Sequence, residues 1–296
     1  MRIKMPIGER IFTICNYVFL TFVAATMILP FISIISLSLS GSNAIISGEV
    51  LFLPKQFTFD SYNNIIKNGQ IFVSMRNTVI VTLIGTVLNM IATILAAYPL
   101  SKKRLRGGKF FKGIIIFTML FSGGLIPTFI LVKSLGLADT YGALWFPMMI
   151  SVYNMLVLIS FFQGIPESLE ESASIDGAND LIILIRIILP LSMPVLATLT
   201  LFYSVGWWNE YYNTMIYINS ADKYTMTVKL MQIIKNLSEA MQTLSGGEGA
   251  VEQSRSVAAE GVKAATIVMT IAPIMCIYPF LQKHFVKGVM IGSVKG

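Results

Sequence analysis

Apolar residues along this chain come in long blocks rather than in alternation, and short polar segments separate the blocks. Runs of roughly 18 or more apolar residues are long enough to cross a hydrocarbon layer as helices. The pattern predicts six spans, at approximately Ile11–Leu37, Val79–Leu100, Gly113–Leu131, Gly142–Phe162, Leu191–Tyr212 and Ala264–Leu281. An even number places both termini on one side. "SKKRLRGGKFFK" after the second span carries Lys102, Lys103, Arg104, Arg106, Lys109 and Lys112, and the two ends add Arg2, Lys4, Arg10, Lys283, Lys287 and Lys295. All of these fall on one face of a six-span layout, which the bias of short basic loops makes the cytoplasmic face. The expected fold class is therefore an all-α polytopic membrane protein with both termini in the cytoplasm. A cleaved signal peptide is the competing reading of the N-terminus. The first apolar run is too long for one, and no clear small-x-small cleavage site follows it.

Composition agrees. Of 296 residues, 55% are hydrophobic and 12% charged, with a mean hydropathy of +0.73; a soluble chain carries about twice that charged fraction. The net charge of +7 is no sign of nucleic acid, because the basic residues sit at block ends and form no stripe interleaved with aromatics. Cys15 and Cys276 both lie in apolar blocks near opposite ends of the chain, as expected of free thiols.

Three connections fall on the outer face: Gly41–Thr78, long enough for a short structured element; Val132–Tyr141; and Asn213–Lys263, which holds the flexible "LSGGEGAVEQS". Within the last, Thr227–Met241 has helical apolar spacing. The organisation expected is an N-terminal tail, first span and outer loop (1–74), a five-helix core (75–281) with a cytoplasmic loop at 163–190 and the long outer loop at 213–263, and a cytoplasmic tail (282–296).

The loop at 163–190 breaks the pattern, since Glu167, Glu170, Glu171, Asp176 and Asp180 face a single base, Arg186. "GIPESLEESASIDGAND" reads as a short helix, with Pro166 at its first position, acids in its first turns and Gly177 as a left-handed stop. Ile165, Leu169, Ala173 and Asp176 share one face, and Ser172, Ala173 and Ser174 are small enough for another surface to come close. A second, apolar run over Asn179–Leu189 leads to Pro190 and Pro194 and so into the fifth span. On the residues alone, an interfacial amphipathic loop and a docking element remain equal readings.

At the outer end of that span, "FYSVGWWNEYYNTMIY" offers Trp207, Trp208, Tyr211 and Tyr212 as ring faces for sugar stacking. Asn209, Glu210 and Asn213 add hydroxyl partners; an aromatic belt at the membrane interface is the alternative. Gly123, Gly124 and Pro127 mark either an irregular pore-facing segment or a helix-packing contact. No phosphate-binding G-x-x-x-x-G-K-[S/T] occurs, and no nucleophile–base pair or metal cluster assembles. His284, the single histidine, sits in the basic tail. This chain is not expected to be an enzyme or to bind a cofactor or metal.

The loop also carries a pattern. Glu171-Ser172-Ala173, then Asp176-Gly177-Ala178, then Ile187-Ile188-Leu189-Pro190 resemble the EAA loop of the membrane subunits of bacterial ABC importers, with Ser172 where alanine is usual. The flanking "IPESLEE" and "PLSMP", the tail "HFVKGVMIGSVKG" and "FSGGLIPTFILVKSLGLADT" look like the carbohydrate-uptake, maltose- and oligosaccharide-type branch. "NDLIILIR" is more aliphatic than in many relatives. The resemblance implies a type I importer permease fold in the bacterial cytoplasmic membrane. It also implies two cytoplasmic subunits that bind ATP and Mg, a second homologous permease subunit and an extracytoplasmic solute-binding protein. Glu170, Glu171, Ser172, Ala173, Asp176, Gly177 and Ala178 would then couple the chain to the ATPases, with Ile291, Gly292, Ser293, Val294 and Lys295 lying against them. A permease for a non-sugar solute and a secondary transporter are the rivals; the spans lack the paired intramembrane charges expected of the latter.

Overall fold

The computed structural model describes residues 6–67, 69–244 and 260–276. Among these every regular element is helical. In chain order the helices are α1 (Ile7–Ser38), α2 (Ser42–Ile46), α3 (Asp60–Lys67), α4 (Gln70–Ser101), α5 (Gly108–Leu120), α6 (Leu125–Ser134), α7 (Gly142–Trp145) and α8 (Val152–Gln163). They continue as α9 (Glu167–Ile175), α10 (Asp180–Leu191, with a π turn over Leu184–Ile188), α11 (Met193–Trp208), α12 (Tyr212–Tyr217), α13 (Met226–Leu244) and α14 (260–276).

Among the described residues, only α1 and α4 are single helices long and apolar enough to cross a membrane. Three of the other predicted spans are broken, each at a residue with a reason to break it. The third divides into α5 and α6, bent by 110°; residues 121–124 leave the helical path, and Gly124 starts α6 with φ at +87°. Pro127 then falls in the first turn of α6, where its missing N–H has no partner to lose. The fourth divides into α7 and α8 at 146–151, around Pro147, and restarts where the Ser151 side chain accepts a bond from Asn154 N. The fifth ends at Trp208, so Tyr212 belongs to a separate short helix. It turns by 84° from α10 at Ser192, with Pro194 again in a first turn. The π turn over Leu184–Ile188 leads into Pro190, which cannot donate to Arg186 O. The sixth is seen as α14 to residue 276, and the remainder to Leu281 lies outside the described residues.

The chain forms two units, 1–71 with 230–272, and 72–229 with 273–296. In the first, three serines at and just past the end of α1 tie down the connection that follows it. Ser36 Oγ donates to Phe52 O (2.7 Å), Ser38 Oγ pairs with Tyr62 Oη (2.9 Å), and Ser40 Oγ accepts from Lys55 N (3.1 Å). Ala44, Ile45 and Val50 form a small core there with Leu37. The structured element expected in Gly41–Thr78 is thus α2 and α3. Gly261 of α14 lies so close to α3 that a Cβ would sit 2.6 Å from Ser61 Oγ.

In the second unit, α4 carries its polar residues inward. Ser74, Asn77, Thr78, Thr82, Thr86, Asn89 and Thr93 are buried, while Leu83, Val87, Ile91 and Leu95 on the other face are exposed. A soluble helix does the reverse; in lipid, small and polar residues make the helix contacts and apolar ones meet the hydrocarbon. One core joins α4 to α8, α10 and α11 through Ala97, Met155, Leu158, Phe162, Ile188 and Leu199. A second gathers Val81, Val132, Leu144, Trp207, Tyr217 and Ile218.

Candidate functional site

Helix α9 has both ends defined by the chain itself. Pro166 stands at the N-cap position, one residue before the first helical position expected for it, and makes no side-chain capping bond; Glu167 and Glu170 occupy the first turn. At its end Gly177 adopts φ of +84°. Gly177 N donates to Ser174 O (3.1 Å) and Ala178 N to Ala173 O (2.9 Å), the paired bonds of a Schellman stop. Asn179 then caps α10, its side chain accepting from Ile182 N (2.9 Å). The two helices are consecutive, separated by one tight turn.

The face predicted from spacing is divided. Ile165, Ala173 and Ala178 pack on the core beneath, while Leu169 is 42% exposed and Asp176 is exposed. Glu171, Ser172 and Gly177 are exposed as well, and Ile175, a large apolar side chain, is 87% exposed. Glu170 turns inward to an ion pair with Lys102, both side chains being largely shielded, and Lys102 also lies 4.2 Å from the centroid of the Tyr98 ring. Glu167 pairs with Lys103 at 3.0 Å, and Asp180 with Arg104. The basic segment at 102–104 thus neutralises part of the acidic loop. A cleft of about 850 Å³ runs beside α9, lined among others by Ser101, Lys102, Gln163, Glu171, Ser174 and Ile175.

The aromatic stretch is also divided. Trp207 and Trp208 are buried. Trp207 lies against Gly85, where a Cβ would come within 2.5 Å of its ring, and its Nε1 donates to Asn89 Oδ1 (2.9 Å). Asn89 Nδ2 in turn donates to Met148 O (2.8 Å). Trp207 is therefore packing, with no ring face open here. Tyr212 and Asn209 are exposed; Glu210, Tyr211 and Asn213 are half-buried. The Glu210 carboxylate accepts from Asn213 N (2.7 Å) and Nδ2 (3.2 Å), holding the first turn of α12. Tyr211 Oη donates to Met215 Sδ (2.8 Å). The residues at 291–295 lie outside the described residues, as do His284 and the glycine-rich part of the 213–263 connection.

Sequence reasoning missed a clamp at Asp139. This residue adopts φ of +59°, which Asp tolerates better than most. Its carboxylate accepts from Asn219 N and Ser220 N (both 2.9 Å), from Ser220 Oγ, and from Lys223 Nζ (3.0 Å). The partners lie some eighty residues away in sequence, so no local pattern announces them. Hydrogen bonds from Ser220, then from Lys223 and Asn219, hold the Asp139 carboxyl well below the usual carboxylate range. A depressed folded pKa gives stabilisation that is complete above the unfolded pKa and lost as pH falls through the folded one. Amide exchange across 217–224 should therefore be flat from about pH 5 to 8, after correction for intrinsic rates, and rise only below about pH 4.

Among the described residues no cluster of His, Cys, Asp or Glu could hold a metal ion. The site offers surfaces, ion pairs and helix ends, with no group placed for covalent chemistry.

Comparison with known proteins gives a consistent result. The family model described as "binding-protein-dependent transport system inner membrane component" matches residues 89–291. The chain is 42% identical over 287 residues to Protein LplC of Bacillus subtilis (strain 168), covering 97% of this chain and 96% of that one. It is 42% identical over 291 residues to the polygalacturonan/rhamnogalacturonan transport system permease protein YtcP of the same organism, covering 97% and 99%. Among solved structures, a chain from a bacterial ABC transporter involved in import of the acidic polysaccharide alginate matches with a TM-score of 0.85 at 33% identity. That match covers 96% of this chain and 99% of the other.

Proposed function

Because the chain belongs to the family of binding-protein-dependent transport system inner membrane components, and is a permease subunit of an ABC importer, we propose that its exposed α9 surface is the seat of a cytoplasmic ATPase subunit. The observation that carries this is the pairing of a rigidly terminated helix with an unburied Ile175 at its end. An apolar side chain left out in water beside Glu171, Ser172 and Asp176 suits a partner's cleft better than solvent. Glu170, Ala173 and Ala178 serve that surface from beneath, by fixing the helix to its own chain.

The wider reading follows. Six spans cross the membrane with both termini cytoplasmic; bent pairs such as α5 with α6 act as single spans. The organisation is 1–74, 75–281 and 282–296, with residues 291–295 against the ATPases. A second permease subunit completes the pathway, two partner subunits bind ATP and Mg, and an external binding protein delivers the solute. The solute is an oligosaccharide: one relative reported above is named for transport of polygalacturonan and rhamnogalacturonan, and the matched structure belongs to an importer of alginate. The non-helical backbone at 121–124 supports a place beside the pathway, since such backbone at membrane depth needs protein or water against it. Asn209, Glu210, Tyr211, Tyr212 and Asn213 are the candidates left for contact with sugar.

The test begins from a chain in which Cys15 and Cys276 are replaced by Ser. Ile175→Cys should form a disulfide or bismaleimide link to the ATPase subunit in the assembled transporter, in the resting state or on nucleotide addition. Asn219→Cys should react only with an impermeant thiol reagent from outside. Absence of any link from Ile175→Cys in an assembled, transporting complex would sink the docking reading. Reaction of Ile175→Cys from outside would sink the topology.

A further inference from the structure

We propose that the junction of α4 and α10 holds an anionic phospholipid, with its phosphate at Arg106 and an acyl chain along Leu95, Pro99, Leu105, Leu181 and Leu184. A cavity of about 560 Å³ opens there, lined by these residues together with Tyr98, Lys102, Arg104 and Asp180. Its two kinds of wall are what a lipid of net negative charge presents in return.

The apolar wall is continuous with the lipid-facing side of α4. Leu83, Val87, Ile91 and Leu95 are 62%, 55%, 52% and 56% exposed and recur every four residues, so they form one track down the helix. The track ends at Pro99 and Leu105, opposite Leu181, which is 57% exposed. An acyl chain lying on the track reaches the cavity at its lower end, where hydrocarbon gives way to headgroups.

The polar rim has an excess of positive charge. Arg104 is paired with Asp180, and Lys102 with Glu170 behind it. Arg106 is exposed and has no ion-pair partner among the described residues. Lys109 and Lys112 follow it in sequence. A basic pocket between spans on the cytoplasmic side is a recurrent headgroup site, and each basic side chain near an anionic surface strengthens binding by about five-fold. A free phosphate would satisfy Arg106 but leave the leucine wall unfilled. A zwitterionic lipid would fill the wall but bring no net charge to the rim.

The experiment uses the whole transporter in neutral detergent, with photoactivatable phosphatidylglycerol and phosphatidylcholine carrying the same diazirine acyl chain. Labelled peptides of this chain are then mapped. Phosphatidylglycerol should label 95–106 and 181–184 at least about five-fold more than phosphatidylcholine. Arg106→Gln should lower that preference by about the same factor, and Leu181→Trp, which fills the cavity, should lower labelling by both lipids. Lys133→Gln, whose side chain does not line the cavity, should change neither. Co-elution with the ATPase subunits confirms that each variant is assembled, and the two cavity substitutions act on opposite walls, so each checks the other. Equal labelling by the two lipids, labelling by phosphatidylglycerol indifferent to both cavity substitutions, or displacement by excess inorganic phosphate would each overturn the proposal.

Discussion

Gly177→Val is expected to abolish uptake while leaving the chain inserted and at normal abundance. The argument is purely one of backbone. Gly177 has φ of +84°, and a Cβ built on it would meet nothing within 4 Å. No contact within the chain is at stake, only the conformation that lets Gly177 N and Ala178 N return to Ser174 O and Ala173 O. A non-glycine residue in the left-handed region loses roughly 1–2 kcal/mol, and a β-branched one is a true outlier there. The chain can relieve that by extending at 177, which frays the end of α9 and displaces Ile175 and Asp176. Gly177→Asn, which tolerates the conformation, should retain a substantial fraction of uptake. Transport assays with quantified membrane levels check this. If Val and Asn behaved alike, the residue would matter for its surface and not for its shape. If both transported normally, a defined end to α9 would be irrelevant to coupling.

Trp207→Ala is expected to destabilise the folded chain by on the order of 3 kcal/mol, whichever solute is carried. Lipid is as apolar as the core, so little of this comes from transfer. It comes from the void left against Gly85 and from Asn89 Oδ1 losing its donor. Thermal inactivation of the purified transporter, followed by size-exclusion, should show the loss, whereas Tyr212→Ala, at an exposed position, should leave stability unchanged. Tyr212→Ala should instead raise the KM for uptake if Tyr212 lies on the sugar's route. A Trp207→Ala protein with normal stability and a raised KM would return Trp207 to the pathway.

These two residues mark what could be read in the sequence. The helix at 167–175 is written locally: a proline, early acids, a glycine and an asparagine lie within about a dozen residues, and each controls its neighbours. The same holds for the turns at Gly124 and Pro194. Trp207 is decided by Gly85 and Asn89, more than a hundred residues away, so its aromatic character could be read but its burial could not. The inward turn of Glu170 depends in the same way on Lys102, and the Asp139 clamp on Ser220. Hydropathy averaged over a block hides internal stops, so the predicted span Gly142–Phe162 takes in Pro147, around which the helix divides. The same averaging hides the row of threonines and asparagines that faces inward on α4.

The ion pairs of Lys102 with Glu170, Lys103 with Glu167 and Arg104 with Asp180 have a mechanical consequence. They link the segment 102–104, which directly follows α4, to both sides of the Gly177 turn. A push on α9 is thus passed to the base of α4 with little backlash, and α4 is the helix whose inward row meets Trp207, Tyr203 and the backbone at 222–226. Two of the three pairs stand in solvent, where salt screens them, while Lys102 and Glu170 are shielded. The stiffness of this linkage therefore rests chiefly on one shielded pair, and on the proposed docking at α9 a transporter slackened there would spend part of each ATPase stroke taking up play before the span moved.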